Sequence, residues 1–174
     1  MQVEEPNPTE AELRAFVGPR ADRYWRRWRC SIERGTRSTG GLWPPFLFNF
    51  VWFLYRRMYR EVWVPIAMVA VVGFFQGVAE GVIEGLRGTP FATPKLIDTL
   101  INLGLAFATS YVGSFLYLRK FRNAVVNARR TAPDAEATLA VLRTTGGTSR
   151  LAAAVGILLA VVLTILSLLV QDSG

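Results

Sequence analysis

Three polar side chains, Gln76, Glu80 and Glu84, recur at four-residue spacing inside an apolar stretch of this 174-residue chain. That spacing places them on one face of a helix. Carboxylates and amides inside a membrane segment are candidates for an ion or proton path, so one hypothesis is conduction by an oligomer. Helix packing is the alternative, because polar side chains also bridge neighbouring membrane helices.

The depth of these side chains favours packing. For a helix that enters the membrane at Val62, Glu80 lies about 27 Å along the axis and Glu84 about 33 Å. A hydrocarbon core is about 30 Å thick, so both carboxylates are within reach of water and only Gln76 lies inside the outer leaflet. Asp98, in the first turn of the next apolar stretch, is explained by the helix dipole and the nearby interface.

The composition removes much other chemistry. The chain has one cysteine, Cys30, and no histidine. An internal disulfide, a zinc site and a Ser/His or Cys/His nucleophilic pair are therefore not expected. We predict no catalytic, cofactor-binding or metal-binding residues and a protein that is not an enzyme.

Three apolar stretches, 62–79, 96–118 and 151–170, are long enough to position such side chains in a membrane. A helix needs about 17 to 25 residues to cross the hydrocarbon core. We therefore predict an all-α integral membrane protein with three transmembrane helices. The acidic start, which no apolar core follows, indicates that a secretory signal peptide is absent.

The basic residues predict the orientation. Of twenty Lys and Arg residues, eleven precede Val62 and seven lie in the range from Arg119 to Arg150, whereas only Arg87 and Lys95 lie in the loop between the first and second spans. The positive-inside rule then places the N-terminus in the cytoplasm and the C-terminus outside, in a bacterial inner membrane. We assign the charge to orientation and to anionic lipid, and we expect no nucleic-acid partner.

The chain divides into two parts. Residues 1–61 are predicted to form cytoplasmic amphipathic helices and an aromatic interfacial segment. Residues 62–174 are predicted to form a three-helix transmembrane bundle with a cytoplasmic loop at 119–150. No separate soluble domain is expected, because typical domains need roughly 50 to 200 residues.

Small residues recur at four-residue spacing in all three spans. Each interior glycine destabilises a helix by roughly 1 kcal/mol relative to alanine. A row of small residues, here called a glycine zipper, lets the backbone of another helix come close, and this close packing is the expected compensation. The predicted packing positions are Gly73, Gly77, Gly81 and Gly85 in the first span, Ala106, Ser110 and Ser114 in the second, and Ala152, Gly156 and Ala160 in the third.

Local signals predict the helix ends. Thr9 and Glu12 have the spacing of a capping box, and Gly18-Pro19 breaks the helix that follows. Gly88 ends the first span, and Thr93-Pro94 provides an N-cap and a first-turn proline for the second, so the two spans form an antiparallel hairpin. The remaining predicted signals are a basic extension of the second span to Arg130, a helix start at 131–134, a break at Gly146-Gly147 and a cap at Ser149.

A second helix, over 20–34, carries arginine and tryptophan. This pattern suits the lipid headgroup region, and packing onto the protein's own loop is an equal alternative. The segment 42–55 is uncharged and aromatic, too short at about 21 Å to cross, and Pro44-Pro45 argue against a regular helix at its start, so an interfacial or re-entrant path is expected. The predicted lipid contacts are Trp25, Arg26, Arg27, Trp28, Trp43, Trp52, Arg56 and Arg57.

The stretch 43–59 resembles a family of bacterial small membrane proteins catalogued as domain of unknown function number 2628. The family signature runs approximately N-W-A-A-F-F-F-G-P-x-W-F-L-Y-R-K-M-Y. The matching residues are Trp43, Phe46, Phe48 and the run Trp52-Phe53-Leu54-Tyr55-Arg56-Arg57-Met58-Tyr59, with further likeness at Phe16-Val17-Gly18, Ala21-Asp22, Tyr24, Gly113 and Tyr117. The departures are Leu42, Pro44-Pro45 and Asn49-Phe50. The resemblance covers 16–130 and implies an architecture without implying a reaction.

Two functions remain open. The leading hypothesis is a structural or interaction protein, an accessory subunit or self-associating scaffold of a larger membrane assembly, because the small-residue ridges exceed what one hairpin requires. Its expected partners are anionic lipids and other membrane subunits or copies of itself. The alternative is a small oligomeric channel or transporter that uses the Gln76/Glu80 face, although the third span offers only Thr164 and Ser167 as polar residues.

Overall fold

The structure, a computed structural model, describes residues 7–34 and 43–172. The secondary-structure elements in these ranges are all α-helices. The helices are α1 (Glu10–Val17), α2 (Ala21–Glu33), α3 (Trp43–Tyr55), α4 (Trp63–Arg87), α5 (Lys95–Thr131), α6 (Ala135–Thr145) and α7 (Arg150–Asp172). Three long apolar helices, α4, α5 and α7, can cross a membrane by length and composition, which confirms the predicted all-α membrane protein.

The capping box at the start of α1 is confirmed. The Thr9 backbone N–H donates to Glu12 Oε2 at 2.7 Å, and the Glu12 N–H donates to Thr9 Oγ1 at 3.3 Å. Helix α1 then ends at Gly18, whose N–H donates to the Arg14 carbonyl. Two of the otherwise unpaired donors of the first turn are thus satisfied by neighbours in sequence.

The α4–α5 turn follows most of its predicted chemistry. Gly88 caps α4 in the left-handed conformation at φ 68°, where glycine has no steric cost. Helix α5 starts at Lys95 with Pro94 as its N-cap, so the predicted cap at Thr93 is wrong by one residue. The Thr93 backbone N–H instead donates to Glu80, which places Thr93 in the turn. The basic extension of α5 is confirmed, since the helix runs without a break to Thr131.

The α6–α7 turn is held by two other helices. The predicted cap at Ser149 is present, since its side chain accepts the Ala152 N–H. At the other end of α6, the predicted helix start at 131–134 is confirmed by Asp134, whose side chain accepts the Ala137 N–H. A side chain at Gly146 would overlap the Phe16 carbonyl. Only glycine therefore fits at this position, where α1 lies directly against the turn. Two backbone bonds fix the turn further: Gly147 N–H to the Phe16 carbonyl at 2.9 Å and Ser149 N–H to the Tyr55 carbonyl at 2.8 Å.

Helix α3 differs from the irregular start predicted for its segment. It is helical from Trp43, because Pro44 and Pro45 lie in its first turn, where an N–H would have no helical partner. It packs against both α5 and α7. A methyl group at Gly113 of α5 would come within 3.2 Å of Phe53, and one at Gly156 of α7 within 2.7 Å of Leu54.

The core forms around the second half of α5. Its fully buried large side chains come from both parts into which the sequence was divided: Leu13, Phe16, Trp28, Phe53, Tyr117, Phe121 and Leu142. Helix α4 contributes little, since Pro65 is its one buried residue. The three apolar helices therefore do not converge as one bundle: α3 lies between α5 and α7, and α4 lies largely exposed.

Candidate functional site

Arg56, at the end of α3, is a buried cation at the centre of the core. Its side chain is bonded to the first two helices, with Nη1 donating to the Val17 carbonyl at 3.2 Å and Nη2 to the Tyr24 hydroxyl at 2.9 Å. The residue is 5 % exposed. Within the described ranges, no carboxylate lies within ion-pair distance of it. Arg56 therefore joins α3 to α1 and α2 through two neutral acceptors, a backbone carbonyl and a tyrosine hydroxyl.

Tyrosine rings surround the Arg56 guanidinium in place of a carboxylate. Its central carbon lies 5.0 Å from the centroid of Tyr24 and 5.2 Å from that of Tyr117. Burial acts to lower the pKa of Arg56, but the field of Tyr117 and Tyr24 raises it, and the net pKa lies above the ordinary arginine value. The side chain stays charged, and cation–π attraction of up to about 2 kcal/mol offsets its desolvation.

A second buried polar contact joins α2 to α5. The Trp28 Nε1–H donates to Ser114 Oγ at 3.2 Å, and both residues are 0 % exposed. Trp28 also packs against Tyr24 and Tyr117, with ring centroids 5.1 and 5.5 Å apart. This geometry favours the alternative in which α2 packs on the protein itself.

Three of the predicted lipid contacts are therefore corrected. Trp28, Trp52 and Arg56 are at most 5 % exposed and cannot reach lipid. The reason is that a basic, tryptophan-bearing helix presents the same pattern whether its rings face headgroups or a protein core. Four other predicted contacts remain accessible: Trp25, Arg26, Arg27 and Arg57. The side chain of Trp43 lies outside the described residues.

The predicted polar line reaches the α4–α5 turn. Glu80 Oε1 accepts the Thr93 N–H at 2.7 Å, and Gln76 Nε2 donates to Asp98 Oδ1 at 3.4 Å. Glu84 is exposed. Glu80 thus bonds α4 to the turn that precedes α5, and Gln76 bonds α4 to the first turn of α5.

The predicted packing positions separate into two groups. Those of α5 and α7 lie against neighbours: Ser110, Ser114 and Gly156 are buried, and Ala106, Ala152 and Ala160 are half-buried. Those of α4, which we call the glycine face, do not. A Cβ added at Gly73, Gly77, Gly81 or Gly85 would meet no atom within 4 Å.

Sequence reasoning missed the residues that hold the core together. Arg56 was assigned to lipid, and the pairing of Glu12 with Arg129 was not predicted at all. Arg129 lies 117 positions beyond Glu12, so no local pattern connects them. The one available signal for Arg56 was its position directly after an uncharged aromatic segment.

Comparison with known proteins adds no relative: no family model, curated protein or solved structure matches this chain.

Proposed function

We propose that this chain is a structural or interaction protein of a bacterial inner membrane, an accessory subunit or self-associating scaffold, and that it carries out no reaction. Its partners are membrane helices, of other subunits or of a second copy, together with anionic lipid, and nucleic acid has no part. The observation that supports this proposal is the glycine face of α4, which has no neighbour in the described chain.

The other small-residue positions provide the comparison. Gly113 and Gly156 are each approached by side chains of α3 so closely that an added methyl group would press on Phe53 or Leu54. Gly113 on α5 and Gly156 on α7 thus mark contacts between helices. The four glycines of the glycine face have no such neighbour, although each interior glycine weakens α4 by roughly 1 kcal/mol. Contact with lipid does not compensate for this loss of helix stability, whereas close packing of a second helix against the glycines does.

The side chains beside the glycine face are suited to a helix partner. Phe74, Val78 and Val82, which directly follow Gly73, Gly77 and Gly81 in sequence, are 48 to 67 % exposed. Large apolar side chains beside a glycine groove can pack against a second backbone that lies in the groove. We also propose that the likeness at 43–59 to the family of unknown function reflects a common architecture around the α3–α5 contact.

The decisive experiment replaces a glycine by leucine. Because an added Cβ at Gly77 or Gly81 has open space, Gly77→Leu and Gly81→Leu should leave the isolated chain folded, so any loss of assembly reports a contact between molecules. After purification in mild detergent, we expect light scattering and identification of co-purifying proteins to show loss of the assembly. The thermal midpoint of the chain itself should not fall, because leucine is a better helix former than glycine.

Two matched variants complete the test. Phe75→Leu, at an exposed position two residues from both Gly73 and Gly77 and therefore on the opposite side of α4, should keep the assembly. Gly156→Leu, in contact with Leu54, should lower the stability of the chain itself. If both glycine-face variants assemble as the wild type does, α4 faces lipid and the proposal fails.

The orientation is proposed from the charge asymmetry. Cys30 is exposed and is the sole cysteine of the sequence, so an impermeant maleimide applied to intact cells should leave it unlabelled. Thr89→Cys in a Cys30→Ser background should be labelled. Labelling of Cys30 from outside would reverse the assignment.

A further inference from the structure

A groove of about 610 Å³ opens between the start of α4 and the middle of α5. Its lining has an apolar part and a basic part. One part is apolar and includes Val64 and Leu116, and the other is basic and includes Arg60, Arg119 and Lys120. The volume is within the range of small-molecule sites, which bind in concave pockets of about 300 to 1,000 Å³.

The groove lies where the apolar helices end. Val64 is in the first turn of α4, and Leu116 precedes the basic stretch of α5 that begins at Arg119. Beside it, Tyr59 and Trp63 are 52 % and 68 % exposed. Exposed tyrosine and tryptophan at the end of a membrane helix sit at headgroup level. The apolar part of the groove therefore faces the hydrocarbon, and the basic part faces the headgroups.

The basic part is organised in advance. Lys120 Nζ donates to the carbonyls of Arg57 at 2.7 Å and Arg56 at 3.3 Å, so its ammonium is held at the groove by the end of α3. Arg60 and Arg119 have no ion-pair partner within the described ranges, and Glu61 is the one acidic residue of the wall. The groove thus carries an excess of positive charge.

Amide donors extend this surface along α5. Asn123 and Asn127 follow Arg119 at four-residue spacing, so all three line the groove from one helix face. Guanidinium, ammonium and amide groups together match the acceptor oxygens of a phosphate.

The space between the helices can receive an acyl chain. The hydrogen bonds from Gln76 to Asp98 of α5 and from Thr93 of the turn to Glu80 lie at the far end of α4, whereas at this end the groove separates Val64 from Leu116. A smaller groove of about 330 Å³ also uses Arg119 and adds Phe115 and Leu118. One headgroup at Arg119 would have an apolar side chain on either side, Leu116 in the larger groove and Phe115 in the smaller one.

We propose that this groove is a binding site for an anionic glycerophospholipid. Arg60, Arg119 and Lys120 bind its phosphodiester, and its acyl chains lie along Leu116 and Phe115. Basic pockets between membrane helices are recognised binding sites for such headgroups. The site goes beyond the proposed scaffold role and does not require the glycine face.

The test measures retention of phosphatidylglycerol by the full chain in phosphatidylcholine nanodiscs, using native mass spectrometry. Arg60→Gln with Arg119→Gln should weaken retention about tenfold more than Arg20→Gln with Arg143→Gln, an exposed pair outside the groove with the same loss of charge. Equal losses in the two pairs would show a diffuse surface attraction and overturn the site. Circular dichroism of each variant establishes that its fold is intact.

A second variant leaves the charge untouched. Val64→Trp fills the apolar part of the groove and should also weaken phosphatidylglycerol retention, and water-soluble glycerol phosphate should fail to displace the lipid. If Val64→Trp has no effect, or if glycerol phosphate displaces the lipid, the groove recognises phosphate alone and the lipid assignment is wrong.

Discussion

Arg129 holds the Glu12 carboxylate through two parallel hydrogen bonds, Nε to Oε1 at 2.7 Å and Nη2 to Oε2 at 2.8 Å. The same carboxylate accepts the Thr9 N–H of the capping box. One side chain thus caps α1 and joins it to α5. The pair is mostly shielded, with Glu12 9 % and Arg129 24 % exposed, so its attraction is screened less than that of a surface pair.

Replacing Glu12 by Gln should destabilise the chain by about 2 kcal/mol, because charge-assisted hydrogen bonds to a shielded group are lost. The free energy of unfolding, from denaturant titration of detergent-solubilised protein, measures the change. Glu10→Gln is the control, since the exposed Glu10–Arg14 pair should contribute at most about 0.5 kcal/mol. Equal effects of the two substitutions would contradict a special role for the Glu12–Arg129 pair.

Stability should also depend on acid through Glu12. Burial acts to raise the pKa of this carboxyl, but hydrogen bonds from Arg129 and Thr9 outweigh it, and the folded-state pKa lies below the ordinary 4.5. The unfolded chain then binds the proton more readily, so the contribution is present above about pH 4.5 and is lost as the pH falls through the folded-state pKa. Thermal midpoints measured across this range should fall more steeply for the wild type than for Glu12→Gln, and parallel curves would refute the assignment.

Arg56→Met should destabilise the core by about 1 to 3 kcal/mol, because it leaves the buried Val17 carbonyl without the donor it has in the structure. Near-ultraviolet circular dichroism should change as well, since the rings of Tyr24 and Tyr117 lie against the guanidinium. Arg57→Met, at the exposed neighbouring position, should stay within about 0.5 kcal/mol of the wild type. If Arg56→Met were tolerated as well as Arg57→Met, the prediction that Arg56 faces lipid would be the better one.

The conduction alternative is tested by Glu80→Gln with Gln76→Leu in reconstituted vesicles. Since Glu80 bonds to the turn that precedes α5 and Gln76 to the first turn of α5, we expect no ion or proton flux above empty vesicles for the wild type, and lower stability of the α4–α5 turn for the double variant. Selective flux through the wild type that the double variant loses would replace the scaffold proposal by a channel.

Particular residues explain what the sequence could and could not predict. The caps at Thr9, Gly88, Asp134 and Ser149 were predictable because each acts on backbone groups within four residues of itself. The burial of Trp28 was not, because its partner Ser114 lies 86 positions away. An amphipathic pattern indicates that one face of a helix avoids water, but it does not indicate whether lipid or protein covers that face.

The bonds that fasten the α6–α7 turn to Phe16 and Tyr55 have a consequence for biosynthesis. The N-terminal helices leave the ribosome first, yet Ser114, Arg129 and Gly147, which bind them, are translated roughly a hundred residues later. Contacts between such distant positions form late, because the intervening chain must first be made and ordered. Helices α1 and α2 thus complete their packing only after the chain as far as Gly147 has been made.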